Sequence, residues 1–163
     1  MIGRLYPALR STMAGLVSFA IVCVVEVGGS SVSAAAVEIS PYVVVGDAIP
    51  APLNGLTGDR ARGRRLVLDR ETGNCLICHQ VPIPSEPSQG DLAPSLAGVG
   101  SRLTAGQMRL RLVDQSKLNP ATLMPAYHRV NDLKRVAPKY KAVPVFSAQE
   151  IEDVVAWLGT LKD

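Results

Sequence analysis

Two cysteines and a histidine stand together in the segment Cys75-Leu76-Ile77-Cys78-His79. This spacing is the one that attaches haem c: the two thiols add across the vinyl groups of one porphyrin, and the histidine that follows supplies an imidazole to the iron. The chain contains one such motif. The sequence therefore predicts one covalently bound haem c, held by Cys75 and Cys78, with His79 as an axial ligand of the iron.

Closely spaced cysteines also occur in zinc sites and in redox dithiols. A zinc site would lack its second pair of ligands, because His128 is the only other histidine. A thioredoxin-like dithiol needs a βαβ context, whereas residues 81–100 carry four prolines. Haem attachment is thus the favoured interpretation. No catalytic residue is expected, because haem attachment consumes Cys75 and Cys78, and Cys23 lies in a segment predicted to be removed.

The second axial ligand must come from a distant part of the chain, and the candidates are Met108, Met124, His128 and an open position. Met108 has apolar neighbours at helical spacing, which is typical of a core residue. Met124 follows a helix broken at 119–120 and precedes Pro125, in a loop able to hold a thioether at the iron. We predict Met124 as the ligand, and we interpret His128 as an exposed or hydrogen-bonded loop histidine.

Length and charge limit the classes of protein that fit. The chain has 163 residues, 47% of them apolar, and a net charge of +3. This length suits one small domain rather than two. The isoelectric point near 8.9 is too weakly basic to suggest a nucleic-acid partner.

The N-terminus has the pattern of a secretory signal. Arg4 and Arg10 precede an uncharged run of 13 residues, from 13 to 25, and the small residues Ser33-Ala34-Ala35-Ala36 follow. The run is shorter than the roughly 20 residues that span a bilayer. We predict a signal peptide at 1–34, cleaved near Ala34 to Ala36, export to the periplasm, and no membrane anchor in the mature form.

Residues 57–163 are predicted to form the cytochrome domain, built from helices. Asp59 can cap a helix that contains Gly63, and a glycine inside a helix suggests close approach of another helix. Two capping boxes mark further helix starts: Thr104 with Gln107, and Ser147 with Glu150. After the second box, apolar residues recur at helical spacing: Ile151, Val154, Val155, Leu158 and Leu161.

Two further segments are apolar enough to bury surface in an interface with a partner protein. Residues 37–56 form a predicted extended N-terminal arm, and residues 129–146 form an insertion. Several of their apolar side chains are expected to pack on a partner, and the candidates are Val43, Val44, Val45, Ile49 and Leu53 in the arm, and Val130, Leu133, Val136, Tyr140, Val143, Val145 and Phe146 in the insertion. The basic residues Lys134, Arg135, Lys139 and Lys141 are either a solvated face or a docking surface for an acidic partner.

The order of the motifs resembles that of class I cytochromes c. Gly63, the cysteine motif, the run 93–98, Met124-Pro125 and a last helix with Trp157 follow one another as in that family. The resemblance implies an all-α class I cytochrome c fold wrapped around one haem. It also implies that the Pro94 carbonyl accepts a hydrogen bond from His79, and that Gly63 meets Trp157 where the first and last helices cross.

Three longer stretches, 73–80, 92–100 and 123–129, resemble the SoxX family, the monohaem cytochrome subunits of the periplasmic SoxAX complex of sulfur-oxidising bacteria. The resemblance implies a SoxA-like cytochrome subunit as partner in a heterodimer. That complex is an L-cysteine S-thiosulfotransferase, which joins thiosulfate oxidatively to a cysteine of the carrier protein SoxY. SoxX takes up the electrons and passes them to a downstream electron-acceptor cytochrome. The alternatives are a free periplasmic electron shuttle and a haem sensor or peroxidase-like enzyme with an open iron position.

Overall fold

The computed structural model describes residues 39–162, so the predicted signal peptide lies outside the described residues. The α-helices in the described part of the chain are α1 (Arg60–Leu68), α2 (Val99–Arg102), α3 (Ala105–Asp114) and α4 (Ala148–Leu158). Short 3-10 turns occur at Leu53–Gly55, Cys75–Ile77, Gln115–Lys117 and Pro138–Tyr140. From residue 39 to 162, the only strand-like pairing is an isolated bridge between Val45 and Ala48. The predicted all-α class is confirmed.

The helix starts are where the capping residues predicted them. The Asp59 carboxylate accepts a hydrogen bond from the Arg62 amide and caps α1. Both bonds of each capping box form at the starts of α3 and α4. Among residues 39–162, no helix is long and apolar enough to cross a membrane.

Helices α1 and α4 cross with their backbones in close contact. A Cβ atom on Gly63 would lie 1.9 Å from the Asp153 carbonyl oxygen and 3.0 Å from Trp157 Cβ. Only glycine fits this crossing, which confirms the predicted approach of Gly63 to Trp157. The Asp153 carboxylate on α4 also joins the two helices. It accepts hydrogen bonds from Arg62 Nε on α1 at 2.6 Å and from the Asp59 amide at 2.7 Å. Burial alone would raise the pKa of Asp153, but these hydrogen bonds outweigh it and lower that pKa.

The N-terminal segment packs against the helices, and two of the apolar residues considered for a partner surface are instead buried within the chain itself. Ile49 and Leu53 are each 1% exposed and belong to the chain's own core. The Ile49 amide donates to the Gly106 carbonyl at the start of α3. Val43 and Val45, at 73% and 61% exposed, remain outside.

The insertion also contributes to the core at its C-terminal end. Phe146, one of the candidates for the partner surface, is completely buried instead, and its ring stacks on Tyr127 with centroids 4.9 Å apart. The Phe146 amide donates to the Tyr127 carbonyl at 2.8 Å. The insertion therefore leaves the core after the buried His128 and returns to it at Pro144 and Phe146, which are buried as well. Among the basic residues of this insertion, Lys134, Arg135 and Lys141 are exposed.

Candidate haem site

One cavity of about 850 Å³ adjoins every residue that the sequence singled out for binding haem: Cys75, Cys78, His79, Pro94 and Met124. This volume falls in the range of cofactor pockets, roughly 300 to 1,000 Å³. Most of the other lining residues are apolar and come from the four helices and the loops between them: Val67, Leu96, Val99, Leu103, Met108, Leu112, Val154 and Leu158. The fold thus brings together motifs that lie up to about 50 residues apart in sequence.

The cysteine motif forms a tight turn. Asn74, with φ of 53°, adopts the left-handed conformation that asparagine tolerates better than most residues. The amides of Cys78 and His79 then both donate to the Cys75 carbonyl, at 3.2 and 2.9 Å. Cys75 and Cys78 are not joined by a disulfide. Burial raises the pKa of the Cys75 thiol to about 11, so this thiol is protonated at neutral pH in the chain without haem.

The His79 ring is held by the loop that follows the motif. Its Nδ1 lies 2.7 Å from the Pro94 carbonyl oxygen. A carbonyl only accepts hydrogen bonds, so Nδ1 carries a proton and Nε2 is the ring nitrogen available to bind a metal. The loop is fixed beside the motif by hydrogen bonds from the Ala93 amide to the Cys78 carbonyl and from the Leu96 amide to the Gln80 carbonyl, at 2.9 and 2.8 Å.

The three candidates for the second axial ligand occupy different environments. Met124 is partly buried and lines the cavity from the loop after α3. Met108 also lines the cavity, but it is 4% exposed and sits within α3 among core residues, as predicted. His128 does not line the cavity. It is completely buried, so the prediction of an exposed histidine is wrong and that of a hydrogen-bonded one is confirmed.

Sequence reasoning missed two kinds of residue at this site. Arg102 and Arg111 line the cavity, whereas no Asp or Glu does so within the described part of the chain. Arg111 follows Met108 by three residues on α3, and this spacing could have placed it on the same face. Tyr127 also lines the cavity, with its hydroxyl donating to the Gly73 carbonyl at 2.9 Å, and no local pattern pointed to it.

Comparison with known proteins gave a match to a solved structure. No family model matches the chain, and no curated protein does. A chain in the crystal structure of SoxXA from P. pantotrophus is 35% identical and superposes with a TM-score of 0.70; the match covers 75% of this chain and 95% of that one. The chain therefore belongs to the Sox cytochrome family represented by that structure and has the class I cytochrome c fold.

Proposed function

We propose that this chain is a SoxX-type subunit, a periplasmic monohaem cytochrome that takes up electrons in a SoxAX heterodimer and passes them to a downstream acceptor cytochrome. One observation carries the proposal. Cys75, Cys78, His79 and Met124 line a single cavity in a chain that is 35% identical to a chain of the SoxXA structure.

The residues of the cavity fit a haem c. Two thiols stand on one short turn, an imidazole offers the lone pair of Nε2, and the thioether of Met124 belongs to the same cavity. When bound, haem c supplies a one-electron change at its iron. The apolar walls exclude water, and ligation by histidine and methionine favours a higher potential than two histidines would give, which suits an electron acceptor.

Pro94 acts on the site through His79. Its carbonyl accepts a hydrogen bond from Nδ1–H, fixes the orientation of the ring and makes Nε2 a stronger donor to a metal. Arg102 and Arg111 add positive charge to the cavity, which favours the carboxylate groups that a haem carries on its edge.

Electron relay fits this chain better than catalysis of its own. With Cys75 and Cys78 converted to thioethers and Cys23 removed with the signal peptide, the exported chain has no thiol to carry a sulfur adduct. The joining of thiosulfate to a carrier-protein cysteine then belongs to the SoxA-like partner. The exposed Val43 and Val45 and the basic insertion offer surface for that partner.

The attachment and the ligands are tested on the purified holoprotein. Haem staining after denaturing electrophoresis should mark this chain, and Cys78→Ala should weaken or abolish the signal. Met124→Leu should remove the methionine-to-iron charge-transfer absorption of the oxidised protein, whereas the matched variant Met108→Leu should keep it. A haem that extracts fully into acid acetone, or loss of the absorption in Met108→Leu alone, contradicts the proposal.

The partner is tested separately, by isolating the tagged chain from the periplasm of a sulfur-oxidising host. A larger haem-staining protein should co-purify with it and reduce it in the presence of thiosulfate and the carrier protein. Isolation of the chain alone, with its spectrum and ligands intact, would instead identify a free electron shuttle.

A further inference from the structure

Within the described part of the chain, the segment that carries Met124 makes few hydrogen bonds, and these stay close in sequence. In residues 120–126, the amides of Ala121 and Thr122 bond to Asn119, and the Met124 amide bonds to the Thr122 hydroxyl at 3.1 Å. All these hydrogen bonds are local, so they cannot fix the position of the segment over the cavity. That position must be set where the segment rejoins the core.

The first such point is Tyr127. Its amide donates to the Leu112 carbonyl at 3.0 Å, its hydroxyl donates to the Gly73 carbonyl at 2.9 Å, and its ring stacks on Phe146 with an angle of 15° between planes. Gly73 precedes Cys75 by two residues. Tyr127 thus connects the loop of Met124 directly to the turn of the cysteine motif.

The second point is His128, whose ring is completely buried. The Ser40 amide donates to Nε2 at 3.1 Å, so Nε2 is unprotonated and Nδ1 must carry the hydrogen. Nδ1 therefore donates to the Phe146 carbonyl at 2.7 Å. The His128 amide also reaches the Val113 carbonyl, at 3.3 Å. One neutral ring thus joins the N-terminal segment to the end of the insertion.

We propose that Tyr127 and His128 are positioning residues for Met124: they anchor the C-terminal end of its loop and so keep the thioether at the iron. The proposal rests on the ligation by Met124 proposed above. Ser40 and Phe146 complete the anchor by satisfying the His128 ring. Buried polar groups of this kind are costly to leave unpaired, so the anchor resists opening as a unit.

The proposal predicts how easily an added ligand displaces Met124. Imidazole binds the iron only when the loop has moved away, so its apparent affinity rises with the population of the open loop. Removing one buried hydrogen bond of the anchor should raise that population about 10-fold. We therefore expect imidazole to bind Tyr127→Phe about 10-fold more tightly than the intact holoprotein, and His128→Leu at least as tightly as Tyr127→Phe.

Three variants separate anchoring from general destabilisation. Tyr127→Phe keeps the ring stack and loses only the hydroxyl. His128→Asn keeps a donor near the position of Nδ1 and should lie between the intact protein and His128→Leu. The matched control is Asp153→Asn, which weakens the pairing of α1 with α4 outside the cavity lining. It should lower the thermal midpoint and leave imidazole affinity unchanged.

The measurement is imidazole titration of the oxidised holoprotein, followed at the methionine-to-iron absorption. Unchanged affinity in Tyr127→Phe overturns the proposal, even where His128→Leu fails to fold. An equal rise in Asp153→Asn also overturns it, because the effect would then reflect global stability. If the intact protein lacks this absorption, Met124 is not the ligand. The spectrum of the intact protein therefore tests ligation by Met124 before any variant tests the anchor.

Discussion

Arg109 and Glu152 form a buried ion pair whose disruption should be among the most damaging single changes in the chain. Their side chains are each 4% exposed. The guanidinium reaches the carboxylate through two bonds, Nε to Oε1 at 2.7 Å and Nη2 to Oε2 at 2.9 Å. Its Nη1 also donates to the Ile49 carbonyl, and the carboxylate accepts the Leu53 amide. The pair therefore joins α3, α4 and the N-terminal segment.

The magnitude follows from what Arg109→Ala leaves behind. Among residues 39–162, Glu152 would keep only the Leu53 amide as a hydrogen-bond partner, and the Ile49 carbonyl would lose the Arg109 donor. An uncompensated buried charge costs about 3 to 5 kcal/mol, which is a large part of the roughly 5 to 15 kcal/mol that stabilises a domain. Glu152→Gln keeps the shape but weakens the charge-assisted bonds, so we expect a smaller loss, about 1.5 to 3 kcal/mol.

The assay is urea unfolding of the holoprotein, followed by far-ultraviolet circular dichroism. Arg70→Ala is the matched control: Arg70 also makes several bonds, since it pairs with Glu86 at 3.2 Å and donates to the Pro87 and Ser88 carbonyls, but its side chain is 38% exposed. Such a pair contributes about 0 to 1 kcal/mol. If Arg109→Ala and Arg70→Ala lower the free energy of unfolding by the same amount, the buried pair does not contribute more to stability than an exposed one.

Three further predictions concern the helix crossing and the partner surface. Gly63→Val should separate α1 from α4 and lower the thermal midpoint sharply, whereas Ala61→Val, on an exposed position of the same helix, should not; equal midpoints would contradict the crossing. The pKa of Asp153 is lowered from 3.8, so its contribution to stability is present above that value and is lost as pH falls through the folded pKa. The stability difference between the intact protein and Asp153→Asn should therefore shrink below pH 3.8 in acid-unfolding curves, and a constant difference would refute the shift. Replacing Val43 and Val45 together by Asp should weaken co-purification of the partner and leave the haem spectrum unchanged, and undiminished binding would show that these exposed valines lie outside the interface.

The parts of the fold that the sequence predicted well have local causes. The two side chains of a capping box are three residues apart. Ser147 and Glu150 therefore predict the start of α4 from local sequence alone. Gly63 also predicts a helix crossing from local sequence. A glycine within a helix lowers its stability, so its presence indicates that another helix packs too closely for a side chain. The cysteine motif is equally compact, since a single short turn holds all three of its side chains.

The features that the sequence missed depend on partners far away in the chain. The sequence did not predict the burial of Ile49 and Leu53, because it depends on distant residues. Arg109, 60 residues away in sequence, donates to the Ile49 carbonyl and fixes the segment against the core. The Ser40 amide and the His128 ring are 88 residues apart, and neither belongs to an element with a periodic pattern.

The same distant contacts bear on the choice of ligand. From its position beside Met124, His128 was a chemically reasonable rival for the iron, since imidazole binds iron readily. In the fold, the Ser40 amide engages its Nε2 and the Phe146 carbonyl engages its Nδ1, so both ring nitrogens are used within the protein. Releasing either nitrogen for the metal would leave a buried polar group unpaired. The two hydrogen bonds that argue against His128 as an iron ligand are thus the same bonds that we propose hold the Met124 loop in place.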